Sequence, residues 1–374
     1  MNRFKIILIF LLFSSCNQKS SKNIPPTAKK VSSSINFSSQ KSSDIALLKL
    51  SEYKFFKGPI SDLKPNDNVY SYKLNSALFS DYAFKERFIY VPENLNIIYQ
   101  SENTFDFPDG SIIIKNFFYP KDFNDSKGER RILETRLLIK NSSEWIGLPY
   151  IWNKDQTDAN LQVLGGETNI SWKHYDGTTK STNYIIPNIN QCKSCHLSDQ
   201  KIIPIGVTAR QLNRLNIYNN KMQNQLEYLH SINIIENLPN KVKLPKMADW
   251  SSDSFSVKER AIAYMDINCA HCHNPKGPAK NSGLNLSYYA KTDYERGIYK
   301  PPIAAGKGSG DLKYDIVPGD SENSIIAYRM LSHDPGIMMP EIGRTMVHKE
   351  GIQLINDYIA VSYTHLTLPT KRIV

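Results

Sequence analysis

Two short stretches of this 374-residue chain carry residue types at a spacing suited to chemistry. They are "NINQCKSCHLSD", around Cys192, Cys195 and His196, and "INCAHCHNP", around Cys269, Cys272 and His273. The sequence holds five cysteines, so the two motifs use all but one. Cysteines at i and i+3 lie on one face of a helical turn. From there they can form thioethers to the two vinyl groups of one haem, while the adjacent histidine turns its imidazole to the iron. The sequence therefore predicts two covalently bound c-type haems, with His196 and His273 as iron ligands. A zinc site or a redox-active CxxC is the competing reading. A zinc site shared by four cysteines has its pairs about 15 to 20 residues apart, far closer than these. A thioredoxin-like motif expects a βαβ context and does not ask for the following histidine.

A low-spin electron-transfer haem needs a sixth ligand, and a methionine thioether raises its potential. "DPGIMMPEIGR" places Met339 before Pro340 in a loop containing Gly and Pro, behind the second motif. Met339 is the expected iron ligand there, with Met338 its immediate competitor. For the first motif Met222, His230, Met247 and His174 all stay open, as does the absence of any strong protein ligand. His230 reads equally well as a satisfied histidine on a helix face. The carbonyls of Pro204 and Pro278 are candidate acceptors for the second ring nitrogens of the two histidines. "AAGKGSGD" resembles a phosphate loop, but Lys307 is followed by Gly308 and no strand-then-helix unit surrounds it, so nucleotide binding is rejected.

These residues need elements to hold them. Arg3, Lys5 and the apolar run Ile6 to Phe13 read as a secretory signal too short to span a bilayer. Phe13-Ser14-Ser15-Cys16 resembles a bacterial lipobox, which would lipidate the cysteine left over from the motifs. Residues 1–16 are thus the signal and 17–45, rich in Ser, Lys and Asn, a flexible tether. Residues 46–188 hold short β-branched or aromatic runs, "ERFIYVP", "SIIIKNFFYP", "RILETRLLIK" and "NYIIP", with Asp109-Gly110 and Asp176-Gly177 as hairpin-turn dipeptides. This reads as a sandwich-like β domain, and with no Cys or Met and one His it excludes an internal N/S metal centre. Residues 189–250 form the first haem region and 251–360 the second. Ser256 to Glu259 fits a capping box that starts a helix leading into Cys269. "SENSIIAYRML" and about 347–360 read as two further helices. Residues 361–374 match neither helix nor domain pattern and read as a non-native tail. The formal charge of +10 is mostly scattered lysine with no basic block interleaved with aromatics, which gives nucleic-acid binding no support.

The stretches "LNSALFSDYAFKERFIYVP", "ETRLLIK", "LPYIWN", "IPNINQCKSCH", "RQLNR", "DINCAHCHNPKGPAKNSGLNL", "PPIAAGKGSG", "DIVPGDSENSIIAYRM" and "MMPEIGR" resemble bacterial di-haem c-type cytochromes with an N-terminal β domain. The second haem region is also similar to class I cytochrome c, which implies Met339 as sixth ligand and paired terminal helices. The resemblance implies haem binding and electron transfer and no established substrate. The expected fold is an α+β multidomain chain, a mainly-β sandwich-like domain followed by a mainly-α di-haem cytochrome c module. The expected function is electron transfer through two haems in an exported, membrane-anchored lipoprotein that meets redox partner proteins on the periplasmic or cell-envelope side. The alternative is a di-haem peroxidase or oxidase with the first haem as reaction centre. No catalytic acid–base constellation is visible.

Overall fold

The computed structural model describes residues 45–367 apart from positions 126, 241, 242 and 304. The signal segment, Cys16, nearly all of the expected tether and the last seven residues lie outside the described residues. The described residues belong to one compact unit. Among them no helix is long and apolar enough to cross a membrane.

The apolar runs of the first half become strands β1 (Val69–Tyr72), β2 (Phe84–Tyr90), β3 (Ile97–Ile98), β4 (Ile112–Pro120), β5 (Arg130–Asn141), β6 (Glu144–Trp152) and β7 (Ala159–Leu161). Six of these form one antiparallel sheet in the order β1-β2-β4-β5-β6-β7. Alternation along the strands sorts side chains onto its two faces. On one face Phe88, Tyr90, Ile112, Ile114, Leu137, Ile139 and Leu148 pack with Ile45, Leu50, Tyr53 and Phe55 from the segment before β1. Fully burying each such side chain stabilises the fold by about 1.5–3 kcal/mol. On the other face Ile89 and Ile113 pack under Val207, Leu212, Leu226 and Leu229, all from the chain beyond residue 188. A hairpin of β8 (Gly166–Lys173) and β9 (Thr179–Ile186), turning at Asp176-Gly177 as expected, closes one end of that second face through Trp172 and Tyr184. Asp109-Gly110 instead forms a turn that leads into β4, and Gly110 donates to the Lys140 carbonyl (2.8 Å).

This architecture corrects the expected fold class. The molecule is mostly β around a large antiparallel sheet, only about 22% helical, and no mainly-α module follows the strands. Among the described residues no second large sheet completes a sandwich. The motif-bearing half folds into helices, two-residue and four-residue strand pairs and loops, and apolar side chains from its first part cover the open face of the sheet. The physical reason is that a sheet apolar on both faces needs a layer on each. The chain after residue 188 uses part of its apolar side chains for that layer, which leaves a smaller cluster, Ala261 to Ile359, to pack among its own helices and loops.

The helices that do form start where their caps direct. Asn188 and Gln191 make a reciprocal capping box at the start of α1 (Ile189–His196). Ala209–Leu212 (α2) and Gln225–Ser231 (α3) are short. Ser256 and Glu259 cap α4 (Val257–Asn268), which runs into Cys269. Ile325–Leu331 (α5) begins later than expected, and α6 (Lys349–Thr367) continues past Ala360, where the expected helix ended. Tyr264 and Met265 of α4 share a core with Ile352, Ile355 and Tyr358 of α6. Gly351 lies directly against the Tyr264 ring, so that a side chain there would hold the two helices apart.

Candidate functional site

Helix α1 lies on the sheet at β6. A Cβ built on Gly147 would stand 3.3 Å from Cys192 Cβ, so glycine there lets the motif helix settle against the strand. Cys192, Cys195 and His196, at i, i+3 and i+4, face a cavity of about 230 Å3 between α1, the sheet and the loop 341–345. The His196 Nδ1–H donates to the Ile203 carbonyl at 2.7 Å, which leaves Nε2 with its lone pair. The acceptor is one residue earlier than the expected Pro204, whose carbonyl takes the Thr104 hydroxyl instead. Burial pushes the His196 pKa down to about 3, so the imidazole is neutral at pH 7 and competent as a ligand.

The second motif follows the last turn of α4. Cys269, Cys272 and His273 border a cavity of about 460 Å3, together with Met339, Leu286 and Ile316. The Ser282 hydroxyl donates to the Ala279 carbonyl (2.8 Å) and so accepts from His273 Nδ1–H at 3.0 Å, in place of the expected Pro278 carbonyl. Burial sets His273 at about 4. All four motif thiols are raised by burial, Cys269 and Cys272 to about 12. That is the reverse of the depressed thiol of a redox CxxC.

The fold brings the two motifs together. Asp199 N–H donates to the Lys276 carbonyl at 2.9 Å, joining the loops behind the two histidines. A third cavity of about 70 Å3 lies between the motifs, and Cys195 borders all three. His271, within the second motif, also borders this space, and its Nδ1 is buried without a hydrogen-bond partner.

The loop after α5 passes over both sites. Arg329 donates to the Ile337 carbonyl (2.8 Å), and the Met339 N–H donates to the Arg329 carbonyl (3.0 Å). Asp81, just before β2, accepts from the backbone N–H of Thr345 (2.7 Å) and of Met346 (2.8 Å) and ties the loop to the sheet side. This holds Met338 at the first cavity and Met339 at the other two. None of the four open candidates for the first motif borders these cavities. Met222 is 62% exposed on a hairpin strand, and Met247 is buried beside Ala248 and Ala263. His230 Nδ1 donates to the Ile235 carbonyl, and His174 Nδ1 accepts from Trp172 Nε1–H.

The sheet contributes a charged wall that motif reading missed. Arg87, Lys115 and Arg136 stand directly opposite one another across β2, β4 and β5, and all three border the first cavity. Burial, with Arg87 and Arg136 beside it, pushes the Lys115 amine down to about 7. The visible signal was Lys or Arg at alternate positions inside apolar strands, as in "FKERF" and "IIIKNFF". Among the described residues no cluster of three or more His, Cys, Asp or Glu is arranged to hold a metal ion. A porphyrin-bound iron would draw on a different set, one imidazole and one thioether, and those residues are present at each cavity. The chain matches no protein-family model, no curated protein and no solved structure.

Proposed function

We propose that the protein is an exported di-haem c-type cytochrome that passes electrons between redox partner proteins. One observation carries this reading. Two C-x-x-C-H motifs far apart in sequence meet at adjoining cavities, each with an imidazole fixed through Nδ1 and presenting Nε2. Cys192 and Cys195 would hold one haem through thioethers with His196 on its iron, and Cys269, Cys272 and His273 would do the same for the other. Each haem supplies a one-electron carrier. The chain's own part is to fix the imidazoles, exclude water and set the field around each iron. Met339 is the sixth ligand proposed at the second motif and Met338, which borders the first cavity, at the first. Cys16 and the tether are proposed to anchor the protein to a membrane of the cell envelope.

A haem-dependent peroxidase or oxidase with the first haem as reaction centre is the second reading. The observation in its favour is the cationic wall of the first cavity, since charge beside an open iron can steer an anionic or polarised substrate. Expression with the haem-attachment machinery followed by a pyridine haemochrome assay tests the shared core of both. Two haems per chain are expected, and fewer than two would end the di-haem reading. Carbon monoxide added after reduction separates the two: binding at neither haem removes the reaction site that an enzyme needs.

A further inference from the structure

We propose that the rung formed by Arg87, Lys115 and Arg136 seats the propionate carboxylates of the porphyrin attached at Cys192 and Cys195. This rests on the haem reading above and deepens it, giving the sheet a direct part in holding the group. Like charges directly opposite on neighbouring strands repel, and covering them adds a desolvation cost. The register places Arg87 opposite Lys115 and Lys115 opposite Arg136, so three cations stand in one row. Arg87 is only 8% exposed, it borders the cavity, and its Nη2 has no hydrogen-bond partner.

Of the carboxylates that border the cavity or its wall, Glu134 and Asp81 are already committed, and Glu341 is exposed. Glu134 accepts from Arg136 Nε (2.8 Å) and from the Tyr184 hydroxyl (2.7 Å). Asp81 accepts from the backbone of Thr345 and Met346. Lys85, the next inward basic side chain on β2, donates to the Leu78 and Ala83 carbonyls, both at 2.9 Å. Arg136 is paired with Glu134, so the unmet positive charge of the wall is centred on Arg87, with Lys115 beside it. Gly147, which touches Cys192, pairs with Leu138, and Arg136 is the next residue of β5 on that face. Successive residues on one face of a strand are about 7 Å apart, so the rung lies within a porphyrin's width of the thioether positions. Two propionates bring two negative charges to the place where they are lacking.

The test uses the haem-loaded protein and its Arg87→Met and Lys115→Met variants. Propionate bending bands are read by resonance Raman and both potentials by redox titration, with a Cys192→Ala/Cys195→Ala protein assigning the bands and potentials. The expected result is a shift of the first haem's propionate bands and a fall in its potential, with the second haem unmoved and Lys115→Arg restoring the parent values. Should Arg87→Met fail to fold, Lys115→Gln at a half-buried position reads the same shift. Two attached haems with bands and potentials unchanged in every variant would overturn the proposal while leaving the haem reading intact. Variants that change only the affinity for added azide would also overturn it, by assigning the rung to a small anion. A parent carrying fewer than two haems would overturn both.

Discussion

The two motif sites share a sequence pattern and differ in almost everything around it. The first sits on a sheet: its helix rests on Gly147, its histidine is fixed by a backbone carbonyl, and its far wall is a row of cations. The second sits between helices and loops: its histidine is fixed by the Ser282 hydroxyl, and its cavity has Leu284, Leu286 and Ile316 on the lining. Charge is present there too, but Arg296 and Arg329 donate to backbone carbonyls, and Lys300 lies 3.6 Å from Asp315. The difference teaches that the C-x-x-C-H spacing by itself says nothing of the field around the site. Net positive charge near an iron favours its reduced state. The sheet-side site is therefore expected to have the more strongly charge-tuned haem, and the helical site the one governed by its sulfur ligand.

The largest effect comes from deleting one site. Changing Cys192 and Cys195 to alanine should remove one of two haems, and changing Cys269 and Cys272 should remove the other. Loss of both haems from either double variant would show that the sites do not load independently. Next are the two methionines. Met339→Ala should abolish the long-wavelength sulfur–iron band of the second haem and lower its potential, and Met338→Ala should act on the first. If Met338→Ala leaves the first haem's spectrum untouched, the division of the two methionines between the sites is wrong.

A smaller, local effect is expected at Gly147. Gly147→Val pushes side-chain atoms towards Cys192 and Leu138, and overpacking of this kind costs about 1–3 kcal/mol. Denaturant unfolding should show that loss, and the second haem's potential should not move; a variant as stable as the parent would mean that α1 does not need this close approach. A further effect, spread over a range of pH, is expected in acid. Burial holds the His348 imidazole at about 4, where it stacks on Phe79 and shares a hydrogen bond with the Tyr264 hydroxyl. The unfolded chain, with its histidine near 6.5, takes up a proton that the folded protein refuses. The contribution is complete above about pH 6.5 and is lost as pH falls towards 4, by at most about 1.4 kcal/mol per pH unit. His348→Gln should flatten that part of the stability–pH curve, and an unchanged slope would assign it to other histidines.

Local signals were legible where a few neighbouring residues suffice. The strands β2, β4, β5 and β9, the capping box before α4 and the turn at Asp176-Gly177 lie where their residues point. The strand over "EWIGLPYIW" is not legible in the sequence, because Gly147 and Pro149 weaken its pattern, yet it is the strand that carries α1. The acceptors for the histidines fell one residue and four residues from the expected prolines, since a proline marks a loop without fixing which oxygen faces the ring.

The sequence by itself determined the chemistry-bearing residues of each motif, because each motif is complete within five consecutive positions. It also determined that apolar strands dominate the first half, because alternation is local. Only the tertiary structure decided that the first part of the second half covers the sheet, and that the two motifs adjoin. Only it decided that Arg87, Lys115 and Arg136, scattered over three strands, stand in one row beside the first motif. Register between strands and the choice of layer over a sheet face depend on burial summed across the whole chain, and no short window of residues contains that sum.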